Sequence, residues 1–321
     1  MKIIYISHPH QLSKTELPNT VLALGYFDGV HKGHQSVIKE AINIASHHQF
    51  SSAVMTFDPH PSVVLANGRK KVDLLTTIEE KAAIIEELGI DILYIVTFNE
   101  EFANLLPQEF IDDYIIGLNV KHVVAGFDFS YGRLGKGTME TLPFHSRGEF
   151  EQTTIEKQTH GETKISSTLL RQLINNGQIA EVYNLLGRYF THTGKVVHGD
   201  KRGRTIGFPT ANLDVKEGFI TPPVGVYAVR VCVSSIWYFG VCNIGFKPTF
   251  HKDKKVPTIE VHIFDFDESI YDQEITIEWH TRIRSEKKFA NVAELVKQIN
   301  EDREETKLYF ENMSHETCFL R

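Results

Sequence analysis

Two histidines that flank a glycine are the side chains whose spacing most clearly suggests chemistry. His31 and His34 enclose Gly33 in the segment ALGYFDGVHKGHQSV, where an apolar stretch passes through two glycines into an amphipathic one. Imidazoles donate hydrogen bonds to phosphate oxygens, and the backbone N–H groups at a helix start favour an anion. The segment therefore predicts a phosphate-binding turn, although it lacks the G-x-x-x-x-G-K-[ST] pattern of a P-loop. The alternative is a pair of ordinary surface histidines.

A hydroxyl and an amide two residues apart form a second candidate site. Thr210 and Asn212 lie in the segment PTAN, after a stretch rich in glycine and cations. In an extended chain both side chains project to one face and can share one magnesium ion. Glu260 alternates with the apolar Ile259 and Val261, so its carboxylate faces away from the core stripe and is available for proton transfer. The alternative for Glu260 is a solvent-exposed strand carboxylate.

Strand and helix patterns that could position these residues alternate in the first half of the chain. Apolar segments at 21–24, 53–57, 92–98 and 121–125 predict strands. An apolar stripe predicts a helix over 37–45, Thr77 and Glu80 predict a capping box for a second helix, and Pro107 predicts the start of a third. This alternation predicts an open α/β fold with a parallel sheet, whose ligands bind at the carboxyl ends of the strands.

After residue 186 the pattern changes to β-rich segments separated by turn residues. Segments at 193–197, 226–233, 237–242, 259–264 and 275–279 predict strands with no helical stretch between them, which is typical of a small antiparallel barrel. An amphipathic stretch after Asn291 predicts a terminal helix, whose charged segment EDREETK is expected to be solvated. We place the domains at 1–185 and 186–310, followed by a tail at 311–321.

Composition limits the class of partner. The 321 residues carry a formal net charge of -7 and are 41% hydrophobic, which is typical of a globular protein without the basic excess that nucleic acid requires. The apolar runs are too short to span a bilayer and the start MKIIYISHPH lacks a cleavable signal pattern, so we expect a cytoplasmic protein with no membrane partner, monomeric or weakly oligomeric. The cysteines form no CxxC pair, which argues against a disulfide framework or a cysteine zinc site.

Four motifs of the first half resemble a known family. HKGH after a strand is similar to the signature of the nucleotidylyltransferase superfamily, whose fold is Rossmann-like, and ISSTLLR at 165–171 resembles its second motif. TFDPHP at 56–61 and VVAGFDFSYGRLGKG at 123–137 resemble the bacterial FAD synthetase subfamily. The resemblance implies that the phosphate of FMN attacks the α-phosphorus of ATP and that pyrophosphate leaves.

This resemblance implies roles for individual residues. His31, His34 and Arg171 are expected to be catalytic, as fixed donors that stabilise charge on the phosphates, and Asp128 is expected to help bind magnesium. The DPHP segment implies flavin contacts, although a rigid turn is the alternative; the expected flavin-binding residues are Asp58, Pro59 and His60. The expected nucleotide-binding residues are Gly25, Phe27, Gly29, His31, Gly33, His34, Asp128, Ser166, Thr168 and Arg171.

The second half resembles riboflavin kinase along nearly all its length, through the pairing of PTAN with TIEVHIFDFD. The resemblance implies that riboflavin is phosphorylated by ATP with Glu260 as general base. Magnesium is expected at Thr210 and Asn212, the nucleotide at Gly199, Gly207 and Thr210, and the flavin at Asn243, Arg282 and Arg284. The whole chain is thus predicted to be a bifunctional enzyme with riboflavin, FMN and ATP as substrates and Mg²⁺ as cofactor.

Two residues depart from the commoner pattern of this family. Tyr26 stands where many relatives have asparagine, and Tyr131 stands where phenylalanine is usual, both close to expected ligand contacts. These departures leave two alternatives open beside the bifunctional enzyme: a single-activity enzyme with one structural half, and a flavin-binding regulator without turnover. Assays of each reaction distinguish the three.

Overall fold

The computed structural model describes residues 1–65, 73–199, 202–246 and 257–318. The chain divides into two units, Met1–Leu169 and Leu170–Arg321. None of the helices within the described residues combines the length and apolar character that crossing a bilayer requires.

The first unit is built on a six-stranded sheet with the order β1-β4-β3-β2-β5-β8, in which every neighbouring pair is parallel. This confirms the predicted α/β fold. Two short ribbons, β6 with β7 and β9 with β10, lie outside this sheet. The strands are β1 (Lys2–Ile6), β2 (Thr20–Leu24), β3 (Ser51–Asp58), β4 (Ile92–Thr97), β5 (Val120–Gly126), β6 (Ser130–Tyr131), β7 (Gly137–Thr138), β8 (Glu151–Ile155), β9 (Thr159–His160) and β10 (Thr163–Lys164).

Helices cover both faces of the six-stranded sheet. Val21 and Ala23 of β2 belong to an apolar cluster with the first and third helices, whereas Leu22 and Leu24 belong to a cluster with the fourth and fifth. A strand buried on both faces is apolar without alternation, which is why the central strands were visible in the sequence. The helices are α1 (Lys32–His48), α2 (Pro61–Val64), α3 (Ile78–Glu87), α4 (Glu100–Ala103), α5 (Pro107–Ile111), continued by a π-helical turn at Asp112–Ile116, and α6 (Leu142–Ser146).

The predicted helix starts are confirmed. The Thr77 backbone N–H donates to Glu80 Oε2 at 2.9 Å and the Glu80 N–H donates to Thr77 Oγ1 at 3.1 Å, so the capping box is closed at the start of α3. Pro107 is the first residue of α5, where its missing N–H costs nothing. The edge strands β1 and β8 were not predicted, because KIIYI is mostly exposed on the sheet edge and EQTTI contains no apolar run.

The second unit is a closed barrel with the order β11-β12-β15-β14-β13-β16. The predicted antiparallel barrel is confirmed. The prediction that no helix lies between its strands was wrong, because a single helical turn, α9, lies between β11 and β12. The strands are β11 (Phe190–Val197), β12 (Ala211–Asp214), β13 (Gly225–Val233), β14 (Ile236–Phe246), β15 (Pro257–Ile263) and β16 (Glu274–Arg284). The helices are α7 (Ser167–Asn175), α8 (Ile179–Leu186), α9 (Arg202–Thr205) and α10 (Val292–Cys318).

Two buried polar side chains of the barrel, His192 and Trp279, are hydrogen-bonded to each other. Trp279 Nε1 donates to His192 Nδ1 at 2.8 Å, so the other ring nitrogen of His192 carries the proton and donates to the Ile220 carbonyl at 2.7 Å. Burial lowers the pKa of His192 to about 4, which keeps the ring neutral at physiological pH. Both ring nitrogens of His192 therefore have hydrogen-bond partners in the barrel core, which is typical of a structural residue.

The terminal helix α10 is attached to the barrel by an ion pair. Arg284 donates from Nε and Nη2 to the two carboxylate oxygens of Asp302, each at 2.7 Å. The side chain of Asp302 is only 5% exposed and that of Arg284 is 22% exposed. The expectation that the EDREETK segment is solvated was therefore wrong at Asp302 and at Thr306, which is also buried. Helical periodicity places these two residues, four apart, on the face that packs against the barrel.

We expect Asp302→Ala to destabilise the barrel unit by about 2–3 kcal/mol, less than the ~3–5 kcal/mol of a fully buried pair because Arg284 is partly solvated. Both tryptophans of the chain, Trp237 and Trp279, lie in this unit, so urea unfolding followed by tryptophan fluorescence reports on it alone. The exposed Glu301→Ala on the same helix is the matched control and should shift stability by less than about 0.5 kcal/mol. Equal midpoints for the two variants would contradict a stabilising role for the pair.

Candidate functional site

A cleft of about 780 Å³ lies in the first unit where the chain leaves β2 and β5. The connections from these neighbouring strands lead to opposite faces of the sheet, and such a switch point leaves a crevice at the carboxyl ends of the strands. Most of the expected nucleotide-binding residues line it, namely Gly25, Phe27, His31, Gly33, His34, Asp128, Ser166 and Thr168.

The two histidines of the HKGH motif lie one above the other at the start of α1. Their rings are stacked with centroids 3.6 Å apart, and His31 Nδ1 accepts from the backbone N–H of His34 at 3.2 Å, which caps the helix. Burial, with the neighbouring charges of His31, Lys81 and Lys164, holds the pKa of His34 well below its usual range. The Nδ1 atom of His34 is buried without a hydrogen-bond partner among the described residues. A neutral imidazole with an unsatisfied nitrogen at a cleft is suited to a polar ligand.

The turn between β2 and α1 is anchored by Asp28. Its buried carboxylate accepts from the backbone N–H groups of Leu75 and Thr76 at 3.0 and 3.2 Å. The Gly29 N–H donates to Thr76 Oγ1 at 3.1 Å, and Gly29 has φ +78, which favours glycine. Gly29, which was expected to bind the nucleotide, does not line the cleft. Its backbone N–H contacts Thr76 instead.

A second helix start faces the same cleft. Ser166 Oγ accepts from the Leu169 N–H at 3.2 Å at the start of α7, and Ser167 Oγ donates to the Asp28 carbonyl at 2.9 Å. The hydroxyls of the ISST segment are thereby tied to the turn that carries the histidines. Arg171 belongs to the second of the two units and does not line the cleft. Its expected role as a phosphate-binding residue therefore stays a prediction.

Lys164 is a cation at the cleft that the sequence reading did not single out. Its ammonium is paired with the carboxylate of Asp128 and lies 4.6 Å from the ring centroid of Phe127. Asp128, expected to bind magnesium, is thus engaged by a lysine. The signal was present in the sequence, because Lys164 directly precedes the ISST motif.

The far end of the cleft is aromatic. Rings from β3, α4, α5 and the segment after β5 converge there, which suits a planar aromatic ligand. Asp58, Pro59 and His60 do not line the cleft, although Phe57 and Pro61 on either side do. His60 instead contacts the ring of Tyr26 at a centroid distance of 4.1 Å. The aromatic residues that line this end are Phe57, Phe98, Phe102, Phe110, Phe129 and Tyr131.

Tyr131 departs from the family pattern without adding a polar group to the cleft. Its hydroxyl is hydrogen-bonded to His145 Nδ1 at 2.8 Å, and its ring is 4% exposed. Gly137 packs directly on this ring, since a Cβ there would lie 2.3 Å from it. The extra hydroxyl is therefore accommodated by a partner within the protein.

A row of polar side chains crosses the barrel of the second unit. Glu260 on β15 is paired in register with Asn212 on β12 and with Asn243 on β14. Directly opposed residues of antiparallel strands project to the same face, so the three side chains are neighbours. Ile259, Val261 and Ile263 are buried on the other face, as the alternation predicted. The sequence alone did not show that strands from three separate segments bring these groups together.

The amide of Asn212 has the features of a ligand-binding group. Its Oδ1 atom is buried without a hydrogen-bond partner among the described residues. Gly199 packs on the amide so closely that a Cβ would lie 2.3 Å from Nδ2, and a Cβ at Gly203 would lie 3.5 Å from Thr210 Oγ1. An amide oxygen without a partner is a ligand type that suits Mg²⁺.

The other residues expected in this site are less closely grouped. Gly207 has φ +87 with open space around it, which is typical of a turn glycine. Arg282 donates from Nη2 to the Val224 carbonyl at 2.7 Å, and Arg284 is paired with Asp302, so both arginines have partners within the unit. Residues 200–201, in the stretch rich in glycine and cations before PTAN, and residues 247–256 lie outside the described residues. Groups of three or more metal-binding His, Cys, Asp or Glu side chains are absent from the described part.

A parallel sheet with a cleft suited to phosphate, followed by a barrel with its own carboxylate and amide row, defines a class of enzyme with two separate sites for phosphate chemistry. The family model for FAD synthetase matches residues 13–169, and that for riboflavin kinase matches residues 186–310. The chain belongs to the family of bifunctional riboflavin kinase/FMN adenylyltransferases, which use ATP in both reactions.

Curated relatives support this assignment along the whole chain. The bifunctional riboflavin kinase/FMN adenylyltransferase of Bacillus subtilis is 52% identical over 98% of this chain and 99% of its own. Those of Listeria monocytogenes and Escherichia coli are 48% and 35% identical over 97% and 94% of this chain and 98% and 96% of their own. The crystal structure of a macrolide-efflux protein from Streptococcus pneumoniae has the same fold, with a TM-score of 0.85 at 35% identity, covering 96% of this chain and 99% of that one.

Proposed function

We propose that the barrel unit phosphorylates riboflavin to FMN and that the α/β unit adenylylates FMN to FAD, each with ATP and Mg²⁺. The observation that carries the proposal is that each unit has its own polar site, with His31 and His34 in one and Glu260 beside Asn212 in the other. We divide the activities at 1–185 and 186–310, the boundaries predicted from the change in periodicity.

In the kinase reaction, the 5′-hydroxyl oxygen of riboflavin attacks the γ-phosphorus of ATP. Glu260 takes the hydroxyl proton, the bond from the γ-phosphorus to the bridging oxygen breaks, and ADP leaves. Glu260 is half-buried and lies in register between Asn212 and Asn243 on the two neighbouring strands. Asn243 is placed on the other side of Glu260 from Asn212, where it can orient the flavin.

Thr210 and Asn212 would hold the magnesium ion of the kinase site. An ion held there would supply positive charge to the phosphates of ATP. The buried Oδ1 of Asn212, which has no partner in the part of the chain that the structure describes, supports this role, because an amide oxygen without a partner is costly unless a ligand satisfies it. Asp128 is the corresponding candidate in the first unit, where its Oδ2 atom is paired with Lys164.

In the adenylylation reaction, a phosphate oxygen of FMN attacks the α-phosphorus of ATP and the bond to the bridging oxygen breaks, which releases pyrophosphate. The attacking group is already an anion, so the site supplies position and charge stabilisation. His34, Ser166 and Thr168 surround the polar end of the cleft, while the aromatic end is suited to the flavin ring. Flavin contacts by Asp58, Pro59 and His60 and phosphate contact by Arg171 stay predictions.

The direct test is to incubate the purified chain with riboflavin, ATP and magnesium and to separate the flavins by chromatography over time. We expect FMN to appear first and FAD to follow. Accumulation of FMN without FAD, from riboflavin or from supplied FMN, would contradict the adenylylation half. Tight flavin binding without ATP consumption would contradict both halves.

We expect Lys164→Met to lower kcat/KM for adenylylation about tenfold, since one charge-assisted contact to a phosphate is worth on the order of 1.5 kcal/mol at a partly exposed site. Lys136→Met is the matched control, because Lys136 is exposed and does not line the cleft. Steady-state rates of FAD formation with varied ATP measure the effect. An unchanged kcat/KM in Lys164→Met would exclude Lys164 from the nucleotide site.

A further inference from the structure

Lys81 is a fully buried lysine beneath the cleft of the first unit. It projects from α3 and is 1% exposed. Its ammonium donates to the Tyr26 carbonyl at 2.9 Å and to Thr56 Oγ1 at 3.1 Å, and Thr56 Oγ1 donates in turn to the same carbonyl at 2.8 Å. A lysine is almost never buried in this way without a specific need for its charge.

One of the two residues that Lys81 contacts, Tyr26, belongs to the wall of the cleft. Tyr26 lies between Gly25 and Phe27, and all three residues line the cleft. The ammonium also lies 3.9 Å from the ring centroid of Tyr26, in a cation–π contact. Both the carbonyl and the ring of Tyr26 are therefore fixed by one buried cation, and tyrosine in place of the commoner asparagine provides the ring.

The charge of Lys81 lies inside the protein, behind the part of the cleft wall that Tyr26 forms. Burial lowers the pKa of Lys81 to about 8, while two carboxylates, Asp28 and Asp58, oppose this shift by stabilising the protonated form. On α1, His34 experiences the same charge, which contributes to the lowered pKa of its imidazole. Tyr26 and Thr56 complete the surroundings of the ammonium. The charge is thus present at neutral pH and close to the group that faces the ligand.

We propose that Lys81 is a positioning residue for adenylyl transfer, which holds the 25–27 turn in place and supplies buried positive charge behind the site of the ATP phosphates. The inference rests on the proposed FAD-forming activity of this cleft. Lys81 does not line the cleft itself, so it acts through Tyr26 and His34. A space-filling role would be met by any residue of the same size, whereas positioning by charge requires the protonated form.

The pH dependence separates these roles. As pH rises through about 8, Lys81 loses its proton in the folded protein, and adenylylation should fall. The stability of the unit should change in the opposite direction, because the unfolded chain keeps this proton up to the ordinary lysine pKa of about 10.4, so unfolding becomes less favourable between these values. A loss of activity above pH 8 in a more stable protein is not an effect of unfolding.

The experiment compares the full-length chain with Lys81→Met, of similar length but uncharged, from pH 6.5 to 9.5. We expect kcat/KM for FAD formation from FMN to be about tenfold lower in Lys81→Met at pH 7, since small displacements of positioning groups cost this much or more. The ratio of wild type to variant should fall towards one by pH 9.5; taking the ratio removes the titration of the substrates. Riboflavin phosphorylation in the same samples should be unchanged, as should FAD formation by Lys39→Met, an exposed lysine of α1.

Two further measurements keep the outcomes distinct. Thermal unfolding by circular dichroism shows whether Lys81→Met folds. The variant Tyr26→Asn keeps the backbone carbonyl but removes the ring, so it should lose less activity than Lys81→Met and should retain the pH dependence of wild type. Equal kcat/KM for wild type and Lys81→Met would overturn the inference, as would a loss of the same factor at every pH together with a lowered melting temperature. If wild type forms no FAD from FMN at any pH, the proposed function itself fails, and the inference fails with it.

Discussion

Glu260→Gln should abolish the formation of FMN from riboflavin while FMN supplied to the same protein is still converted to FAD. Glutamine keeps the size of the side chain and its place beside Asn212 and Asn243 but cannot accept the hydroxyl proton. General-base catalysis is worth about 10²–10⁴ in rate, so we expect kcat for the kinase reaction to fall about a thousandfold. Because the carboxylate acts on the flavin hydroxyl, the KM for ATP should change little.

The assay follows ADP release and FMN by chromatography with riboflavin as substrate, and FAD with FMN as substrate. Glu274→Gln is the matched control, since Glu274 is an exposed strand carboxylate of the same barrel, outside the polar row. A retained kinase rate in Glu260→Gln would remove the general-base role. Loss of both activities would indicate damage to the protein beyond the loss of one base.

His34→Ala should slow FAD formation about a hundredfold and leave riboflavin phosphorylation unchanged. One preorganised donor to a phosphate oxygen in the transition state is worth on the order of 3 kcal/mol, which corresponds to this factor. The ring of His34 is half-buried and stacked on that of His31, and desolvation holds its pKa well below the usual range, so the imidazole is neutral at physiological pH. The ratio of wild-type to variant rates should therefore be constant between about pH 6 and 7.5, where a histidine of ordinary pKa would titrate.

Rates of pyrophosphate release with varied FMN and ATP measure this effect. His47→Ala on the same helix is the control, because His47 is exposed and belongs to no motif. A rate ratio that changes severalfold across this pH range would show that a charged imidazole is used, contrary to the buried geometry. Unchanged FAD formation in His34→Ala would exclude the HKGH motif from catalysis.

Local sequence signals determined much of this fold. The central strands β2 to β5 could be predicted because a strand buried on both faces is apolar throughout, and the start of α3 could be predicted because the Thr77 and Glu80 cap uses only neighbouring residues. The edge strands β1 and β8 lack this signal. The burial of Asp302 in the charged segment of α10 was not predicted, because its partner Arg284 lies on strand β16.

For the sites, the sequence by itself determined the chemistry of individual segments: the paired histidines, the PTAN segment and the alternation that turns Glu260 away from the core. Only the tertiary structure decided what surrounds them. The Asn212–Glu260–Asn243 row depends on strand register. The Tyr131–His145 hydrogen bond depends on packing at the cleft wall. The burial of Lys81 depends on its contact with Tyr26, which is 55 residues away in the sequence. Such contacts join residues distant in sequence, and local patterns carry no information about which distant groups will meet.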